Sequence, residues 1–220
     1  MAETLKYYVQ PLTAAAERRI NKMSTNFYKD VAQRATTKFR NHTAKLQDLG
    51  DVKILDWRNK DGGSVYAIRY LFDDKYCNLT VTGDCGTLIA TNFDNMKYEK
   101  VSDFFGNYDY FASKVKAMNG GPYVFDRYDA LEDAAEMLRL KDPSEELFEA
   151  AMEELSDISL FEGEKFILTN NSWNELEHVE LVDSNFWEWL PRCGKRVSPA
   201  VIYILTGLEM SIKQLVGSRK

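Results

Sequence analysis

The stretch VKILDWRNKDGGSVYAIRYLFDDKYCNLTVTGDCGTLIAT, residues 52–91, decides the fold. It contains four runs rich in β-branched and aromatic residues: Val52–Trp57, Val65–Phe72, Tyr76–Thr82 and Thr87–Thr91. Asp61-Gly62 marks a hairpin turn, because its positions need positive φ, and Asp73-Asp74 and the 83–86 segment mark two more turns. Connections this short join antiparallel neighbours, so we predict a four-stranded antiparallel meander.

Before this stretch, apolar residues recur at steps of three or four from Leu12 to Leu49. The pattern predicts a long amino-terminal helix. The mean step is slightly longer than the turn of a straight helix, so the helix either wraps around the fold or breaks. The expected break is the β-branched pair Thr36-Thr37, and Gly50 is the expected stop.

After residue 92 the apolar residues recur at the spacing of a helix. Asn107 is expected to cap a helix that runs through Phe111, Val115 and Met118, and Asp126 is expected to open another. The sequence Asp142-Pro143-Ser144-Glu145 has the pattern of a capping box. The helix that it starts is predicted to pack against the core through Leu147, Ala151, Leu155 and Ile158. Further helices are predicted over 171–182, 185–190 and the segment after Ser198-Pro199.

These patterns together predict one α+β domain over residues 1–220. Its parts are an amino-terminal helix over 1–49, an antiparallel sheet over 50–92 and a helical half over 93–220. Helix should exceed strand, and the helical half should cover one face of the sheet. The hydrophobic fraction of 45% is that of an ordinary globular core.

The net charge of −6 is unevenly distributed along the chain. Residues 1–49 carry +5, residues 50–125 carry −1, residues 126–183 carry −14 and residues 184–220 carry +4. Two interpretations remain open. Either the acidic helices pack beside the basic ends and are partly neutralised, or the surface has one strongly negative side.

Composition excludes several classes of protein. Cys77, Cys85 and Cys193 form no paired pattern, which argues against a disulfide framework. The first ten residues lack the basic start and apolar run of an export signal. The longest apolar run, Ala200–Leu205, is far shorter than the roughly 20 residues that cross a bilayer. We therefore expect a cytoplasmic protein with no membrane partner.

The sequence also argues against bound metal and cofactors. His42 and His178 are its two histidines, and there is no Cys-x-x-Cys pair, so we predict no metal site. No glycine-rich phosphate cradle is present either, and we predict no cofactor.

Two short patterns could carry catalysis. Cys85 lies in a tight glycine turn, but a reactive thiol needs a nearby base or positive field, and a simple hairpin turn explains the pattern better. Asp73 and Lys75 match a short Asp-x-Lys pattern with which one class of nucleases holds Mg²⁺ and stabilises charge. A charged hairpin turn is the other interpretation. We predict no catalytic residue and keep a nucleic-acid-binding or nuclease-like enzyme using Asp73 and Lys75 as the alternative function.

Two charged surfaces are candidates for binding. The basic amino-terminal helix could contact nucleic acid, and its foremost residues are Arg18, Arg19 and Lys22. The acidic block could instead imitate the phosphates of a nucleic acid and occupy a basic groove on a partner. Its candidate contacts are Glu145, Glu146, Glu149, Glu153 and Glu154. Of these, Glu146, Glu149 and Glu153 fall at steps of three and four and so share one helix face.

An aromatic cluster is the third candidate. Trp187 and Trp189 are two residues apart and cannot share one face of a helix. One of them should therefore be in the core and the other at an edge or a protein-binding interface.

Three stretches together resemble a group of bacteriophage and prophage accessory proteins: Thr82-Gly83-Asp84-Cys85-Gly86, the helix start from Asn107 through Tyr110-Phe111 to Lys114, and Gly207-Leu208-Glu209-Met210. That group often shows a Gly-Asp-Tyr-Gly turn followed by a Tyr-Phe-x-x-Lys helix start, and Cys85 stands here in place of the tyrosine. The resemblance implies a phage accessory protein, and such proteins often inhibit host defence, as anti-CRISPR proteins do.

The expected function is that of a non-enzymatic interaction protein of phage origin. It would act in the host cytoplasm, binding and blocking a host protein or ribonucleoprotein complex that processes nucleic acid or defends the cell. Nucleic acid remains a second possible partner, and the sequence leaves the oligomeric state open.

Overall fold

The computed structural model describes residues 14–157, 161–162, 165–166 and 176–217, and side chains over 26–156 and 176–217. The predicted α+β class with antiparallel strands is confirmed. The helices are α1 (Ala14–Lys38), α2 (Tyr108–Ala112), α3 (Arg127–Arg139), α4 (Glu145–Asp157), α5 (Glu177–Val182), α6 (Phe186–Trp189) and α7 (Pro199–Gly217). The strands are β1 (His42–Asp48), β2 (Val52–Asn59), β3 (Ile68–Asp73), β4 (Asn78–Gly83), β5 (Leu88–Thr91), β6 (Val115–Met118), β7 (Tyr123–Phe125), β8 (Phe161–Glu162), β9 (Lys165–Phe166) and β10 (Lys195–Val197).

The chain divides into two compact units, which are described separately. The helical unit comprises Met1–Ser24 and Phe125–Arg196, and the sheet unit comprises Thr25–Val124 and Val197–Lys220. By sequence, the helical unit has 11 Lys and Arg against 21 Asp and Glu, a net charge of −10. The sheet unit has 17 against 13, a net charge of +4. The charge asymmetry of the sequence is therefore also an asymmetry between compact units.

The sheet unit contains six antiparallel strands in the order β1-β2-β3-β4-β5-β6. The four predicted strands are present as β2 to β5, and the prediction of only four is wrong because β1 and β6 extend the sheet at both edges. Alternate residues of the strands are buried. The inward set comprises Leu55, Trp57, Ile68, Tyr70, Phe72, Leu79, Val81, Leu88 and Ala90.

The predicted helix over Leu12–Leu49 is wrong at its carboxyl end. Helix α1 ends at Lys38, next to the expected break, where the Thr36 and Thr37 hydroxyl groups donate to carbonyl oxygens one turn back at 2.9 and 3.0 Å. Residues 42–48 form β1 instead. Gly50 does not end a helix: it lies in the β1–β2 turn with φ of 82°.

The helix predicted from Asn107 is also shorter than expected. The Asn107 side chain does cap it, accepting the Tyr110 N–H, but α2 ends at Ala112. Val115 and Met118 belong to β6, where the register against β5 shifts between Ile89 and Ala90. A bulge of this kind adds one residue to a strand and explains how a spacing of three fits into a strand.

Helix α7 packs on the sheet. The Tyr70 hydroxyl group donates to the Ile204 carbonyl oxygen at 2.8 Å, and a Cβ on Gly207 would lie 2.8 Å from that hydroxyl oxygen. By length and composition α7 could cross a membrane, but its buried residues identify it as the core helix of this unit. They are Val201, Ile202, Ile204, Leu205, Thr206, Gly207, Leu208 and Ser211.

The helical unit is organised around α3, α4, α5 and α6. Asp126 caps α3, as predicted, by accepting the Tyr128 and Asp129 N–H groups at 2.8 and 3.1 Å. Ser144 Oγ accepts the Leu147 N–H at the start of α4. The apolar core of the unit includes Ala130, Ala134, Met137, Leu138, Phe148, Ala151, Leu155, Val179, Phe186 and Trp189. Ile158 and residues 171–175 lie outside the described residues.

A buried ion pair holds the end of this unit to α3. Arg196 donates from both terminal nitrogens to the two Asp133 oxygens, each at 2.8 Å, and the Gly194 N–H donates to Asp133 at 2.8 Å. The Asp133 side chain is fully buried, and the Arg196 side chain nearly so. A bidentate pair of this kind fixes orientation as well as charge.

Candidate interaction surfaces

Three of the predicted carboxylates of α4 form an exposed row. Glu146, Glu149 and Glu153, here called the acidic row, are all exposed, as their steps of three and four predict. The opposite face of α4 is apolar, and it packs inward through Phe148, Ala151 and Leu155. Burial of that face fixes the rotation of the helix, so the row points to solvent.

The acidic row is not neutralised within the described part of the chain. There, no lysine, arginine or histidine lies within ion-pair distance of its three carboxylates. The three groups share a helix face one turn apart, where like charges repel each other. The row therefore presents a concentrated negative surface to any partner.

Other carboxylates of the helical unit have structural partners. Both Glu154 oxygens accept N–H groups at the start of α5: from His178 at 3.0 Å each and, for Oε2, from Val179 at 3.1 Å. Asp183 accepts the Trp189 indole N–H at 3.0 Å and the Asn185 N–H at 3.0 Å. These carboxylates stabilise helix ends and loops. They differ from the acidic row, whose three side chains are exposed.

The two tryptophans divide as predicted. Trp189 is buried, with its indole nitrogen bound to Asp183, so it is a core residue and is not placed to touch a partner. Trp187 is half-buried and packs against the same apolar core. Of the two predicted protein-binding tryptophans, only Trp187 offers any surface.

The predicted nucleic-acid contacts of the amino-terminal helix lie within α1. Arg18, Arg19 and Lys22 are helical in their backbone, as expected. Their side chains lie outside the described residues, and their role in binding stays a prediction.

The Asp-x-Lys pattern forms a hairpin turn between β3 and β4. Asp73 accepts the Tyr76 N–H at 3.2 Å, and the Lys75 ammonium lies 5.5 Å from the centroid of the Tyr76 ring. Asp74 accepts the Tyr98 N–H at 3.0 Å and pairs with Lys53. These contacts are those of a charged turn, and within the described residues Asp73 belongs to no group of three side chains that could hold a metal ion.

No cluster of metal-ligating side chains is present among the described residues. The residues that line two clefts of the sheet unit do not include Asp73 or Lys75, the pair of the alternative function. One, of about 270 Å³, is lined on the sheet by Asp56, Arg69 and Thr82, and the other, of about 560 Å³, lies beside Tyr28 and Tyr108. In the first cleft Arg69 binds Asp56 through two nitrogens and lowers its pKa.

Cys85 is a poor nucleophile. Burial, followed by the charge of Asp84, raises the pKa of its thiol to about 11, so the thiolate is scarce near neutral pH. The flanking Gly83 and Gly86 have φ of 139° and 113°, which fits the predicted glycine turn. A Cβ on Gly83 would collide with the Ala67 carbonyl group.

Comparison of the chain with protein-family models, with curated proteins and with solved structures gives no match.

Sequence reasoning missed the structural role of Asp133 and Asp183, and it is wrong about Glu154, which holds the start of α5 rather than belonging to an exposed contact surface. Each is separated from at least one partner by a loop or a whole helix, and Asp133 and Arg196 are 63 residues apart. One signal in the sequence could have identified Asp133. It falls on the apolar face of α3 with Ala130 and Ala134, and an acid on a buried face needs a partner.

Proposed function

We propose that this chain is a non-enzymatic interaction protein whose acidic row binds a basic, nucleic-acid-handling surface of a host protein or ribonucleoprotein complex. Occupying that surface would block the partner. A phage origin and a role against host defence form part of the proposal on the strength of the motif resemblance. The partner would be met in the host cytoplasm.

One observation carries the proposal: among the described residues the acidic row has no ion-pair partner, whereas other carboxylates of the same unit do. Exposed glutamates one turn apart on α4 repel each other and contribute little to stability. A row kept for folding would be paired, as Asp133 is with Arg196. The row therefore fits recognition of a cationic surface better than a role in the fold.

The physics of such a surface predicts how it would act. Opposite charges on two proteins mainly accelerate their encounter, and the acceleration falls with ionic strength because salt screens exposed charges. The net charge of −10 on the helical unit would attract a groove that normally holds phosphates. Nucleic acid and this protein should then compete for one site.

The experiment is a comparison of three tagged baits in a nuclease-treated bacterial lysate, read by mass spectrometry. The baits are the parent, the row variant E146K/E149K/E153K and the control variant D61K/D84K/D103K, which changes exposed acids of the sheet unit. Each variant raises the net charge from −6 to zero, so a difference between them reports position rather than total charge.

The proposal predicts a nucleic-acid-binding protein that the parent and the control variant retain and the row variant loses. Added oligonucleotide should displace that protein from the parent bait. Equal capture by all three baits, or capture that nucleic acid does not compete, would contradict the proposal.

A further inference from the structure

Three exposed aromatic rings lie at one end of the six-stranded sheet. Tyr76 is 70% exposed, Phe93 is 86% exposed and Tyr110 is 38% exposed. Tyr76 belongs to the turn between β3 and β4, Phe93 follows β5, and Tyr110 lies in α2, shortly before β6. Because the strands are antiparallel and in chain order, all three positions fall at the same end of the sheet.

Hydrogen bonds join these positions into one surface. The Asn92 N–H donates to the Cys77 carbonyl oxygen at 3.4 Å, so Phe93 and Tyr76 each lie next to one of two hydrogen-bonded residues on adjacent segments. The Asn92 side-chain amide donates to the Tyr110 hydroxyl oxygen at 3.3 Å. We call Tyr76, Phe93 and Tyr110, with the lysines beside them, the aromatic end.

The surface is held in place by the core beneath it. Tyr110 stacks on buried Phe104 with ring centroids 5.3 Å apart and planes at 23°. Asp74, beside the β3–β4 turn, accepts the Tyr98 N–H and pairs with Lys53. A ligand that stacks here would therefore meet rings on an ordered support, which lowers the entropic cost of binding.

Cations accompany the rings. Lys75 Nζ lies 5.5 Å from the Tyr76 ring centroid, and Lys114 Nζ lies 4.5 Å over the Tyr110 ring. Neither lysine has an ion-pair partner among the described residues. The nearby Asp94 is itself paired with two further lysines, Lys97 and Lys100, at 2.7 and 3.3 Å.

We propose that the aromatic end binds single-stranded nucleic acid. Bases stack on exposed rings whatever their sequence, here Tyr76 and Phe93, and Lys75 and Lys114 beside the rings take the phosphates. The sheet unit carries +4, the sign that a polyanion requires. This binding is independent of the acidic row, and it uses residues other than those predicted on the amino-terminal helix.

The test is fluorescence anisotropy at low salt with three labelled probes. They are a twelve-nucleotide oligodeoxythymidine, a twelve-nucleotide oligouridine and a blunt DNA duplex of the same length. The parent should bind single strands more tightly than the duplex, and the first two probes show whether DNA or RNA is preferred. The variant Y76A/F93A should lose at least about 10-fold in affinity, because each stacked base contributes substantially to binding.

Two controls keep the result interpretable. Tyr128→Ala removes a ring that is 79% exposed in the helical unit, and it should leave affinity unchanged. Y76F/F93W keeps the aromatic rings and should bind single strands as the parent does. The unfolding curves of the parent, Y76A/F93A and Y76F/F93W should coincide, because the side chains at both positions are exposed. Absence of single-strand binding by the parent, equal affinity for the duplex, or full binding by Y76A/F93A would each overturn the proposal.

Discussion

The two units carry net charges of opposite sign and differ in where their acids lie. In the helical unit, buried or partly buried carboxylates such as Asp133, Asp183 and Glu154 complete the fold, while the acidic row stays exposed. In the sheet unit, helices cover an apolar face of the sheet, and Lys53 with Asp74 forms a largely buried ion pair. The comparison teaches that a strongly negative unit separates its structural acids from its exposed ones.

Removing the buried ion pair should give the largest effect. Asp133→Ala removes the bidentate acceptor of the buried Arg196 guanidinium group, whose contact with Asp129 is longer, at 3.6 Å, and it removes the acceptor of the Gly194 N–H. We expect a loss of about 3–5 kcal/mol in the free energy of unfolding, measured by urea titration. The control Glu132→Ala changes an exposed neighbour and should lie within about 0.5 kcal/mol of the parent. A loss below about 1 kcal/mol for Asp133→Ala would show that the pair does not hold the unit.

The sheet unit should instead be sensitive to shape. A Cβ on Gly207 would approach Tyr70, Ile68 and Trp57 at 2.8 to 3.2 Å, so Gly207→Val should cost about 1–3 kcal/mol. Gly217→Val is the matched control, since no atom of the described residues lies within 4 Å of a Cβ built at that position. Equal melting curves for the two variants would mean that α7 does not pack closely on the sheet.

Acid should destabilise the sheet unit through His42. Burial lowers the pKa of His42 below 6.5, and neither ring nitrogen has a hydrogen-bond partner of good geometry. As pH falls below 6.5 the unfolded chain takes up the proton first, so stability is lost until the folded-state pKa is reached. This component can lower the free energy of unfolding by at most about 1.4 kcal/mol per pH unit, the limit for one proton.

His42→Phe should remove this component of the slope, because the neighbouring rings of Phe39 and Trp57 accept an apolar ring. His178→Phe is the comparison, since that side chain is exposed beside Glu154. Urea titrations between pH 7.5 and 5 measure all three proteins. An unchanged slope in His42→Phe would contradict the assignment.

A smaller effect is expected at the edge of the sheet. Gln214 accepts the Ala44 N–H at 2.7 Å and donates to the His42 carbonyl oxygen at 3.4 Å, so its amide occupies part of the open edge of β1. Gln214→Ala should cost about 1 kcal/mol and increase association through the edge. Light scattering measures the apparent molar mass of Gln214→Ala and of the control Lys213→Ala, which changes an exposed neighbour. Equal apparent masses would show that Gln214 does not prevent association through the edge of β1.

The strands β2 to β5 could be predicted because alternation and turn residues agree there. The error at 39–49 has a simple cause: His42 and Leu46 are four residues apart, and that spacing fits both a helix face and one face of a strand. The helix prediction through Val115 and Met118 failed because the bulge in β6 changes the strand period. Neither ambiguity is resolved by local sequence.

The candidate surfaces were predictable to different degrees. The acidic row follows from the period of α4, because the apolar residues fix which side faces out. The aromatic end was missed because it depends on sheet topology, which brings Tyr76 near Phe93 across 17 residues of sequence. Aromatic residues within turns, such as Tyr76 beside Lys75, were the available signal.

The most direct test of the central claim is the association rate with the partner that the baits identify, measured by stopped flow over a range of salt. At low salt, E146K/E149K/E153K should associate at least about 10-fold more slowly than D61K/D84K/D103K, although both have the same net charge. The difference should shrink as salt rises. Equal rates for the two variants at low salt would contradict the assignment of recognition to the acidic row.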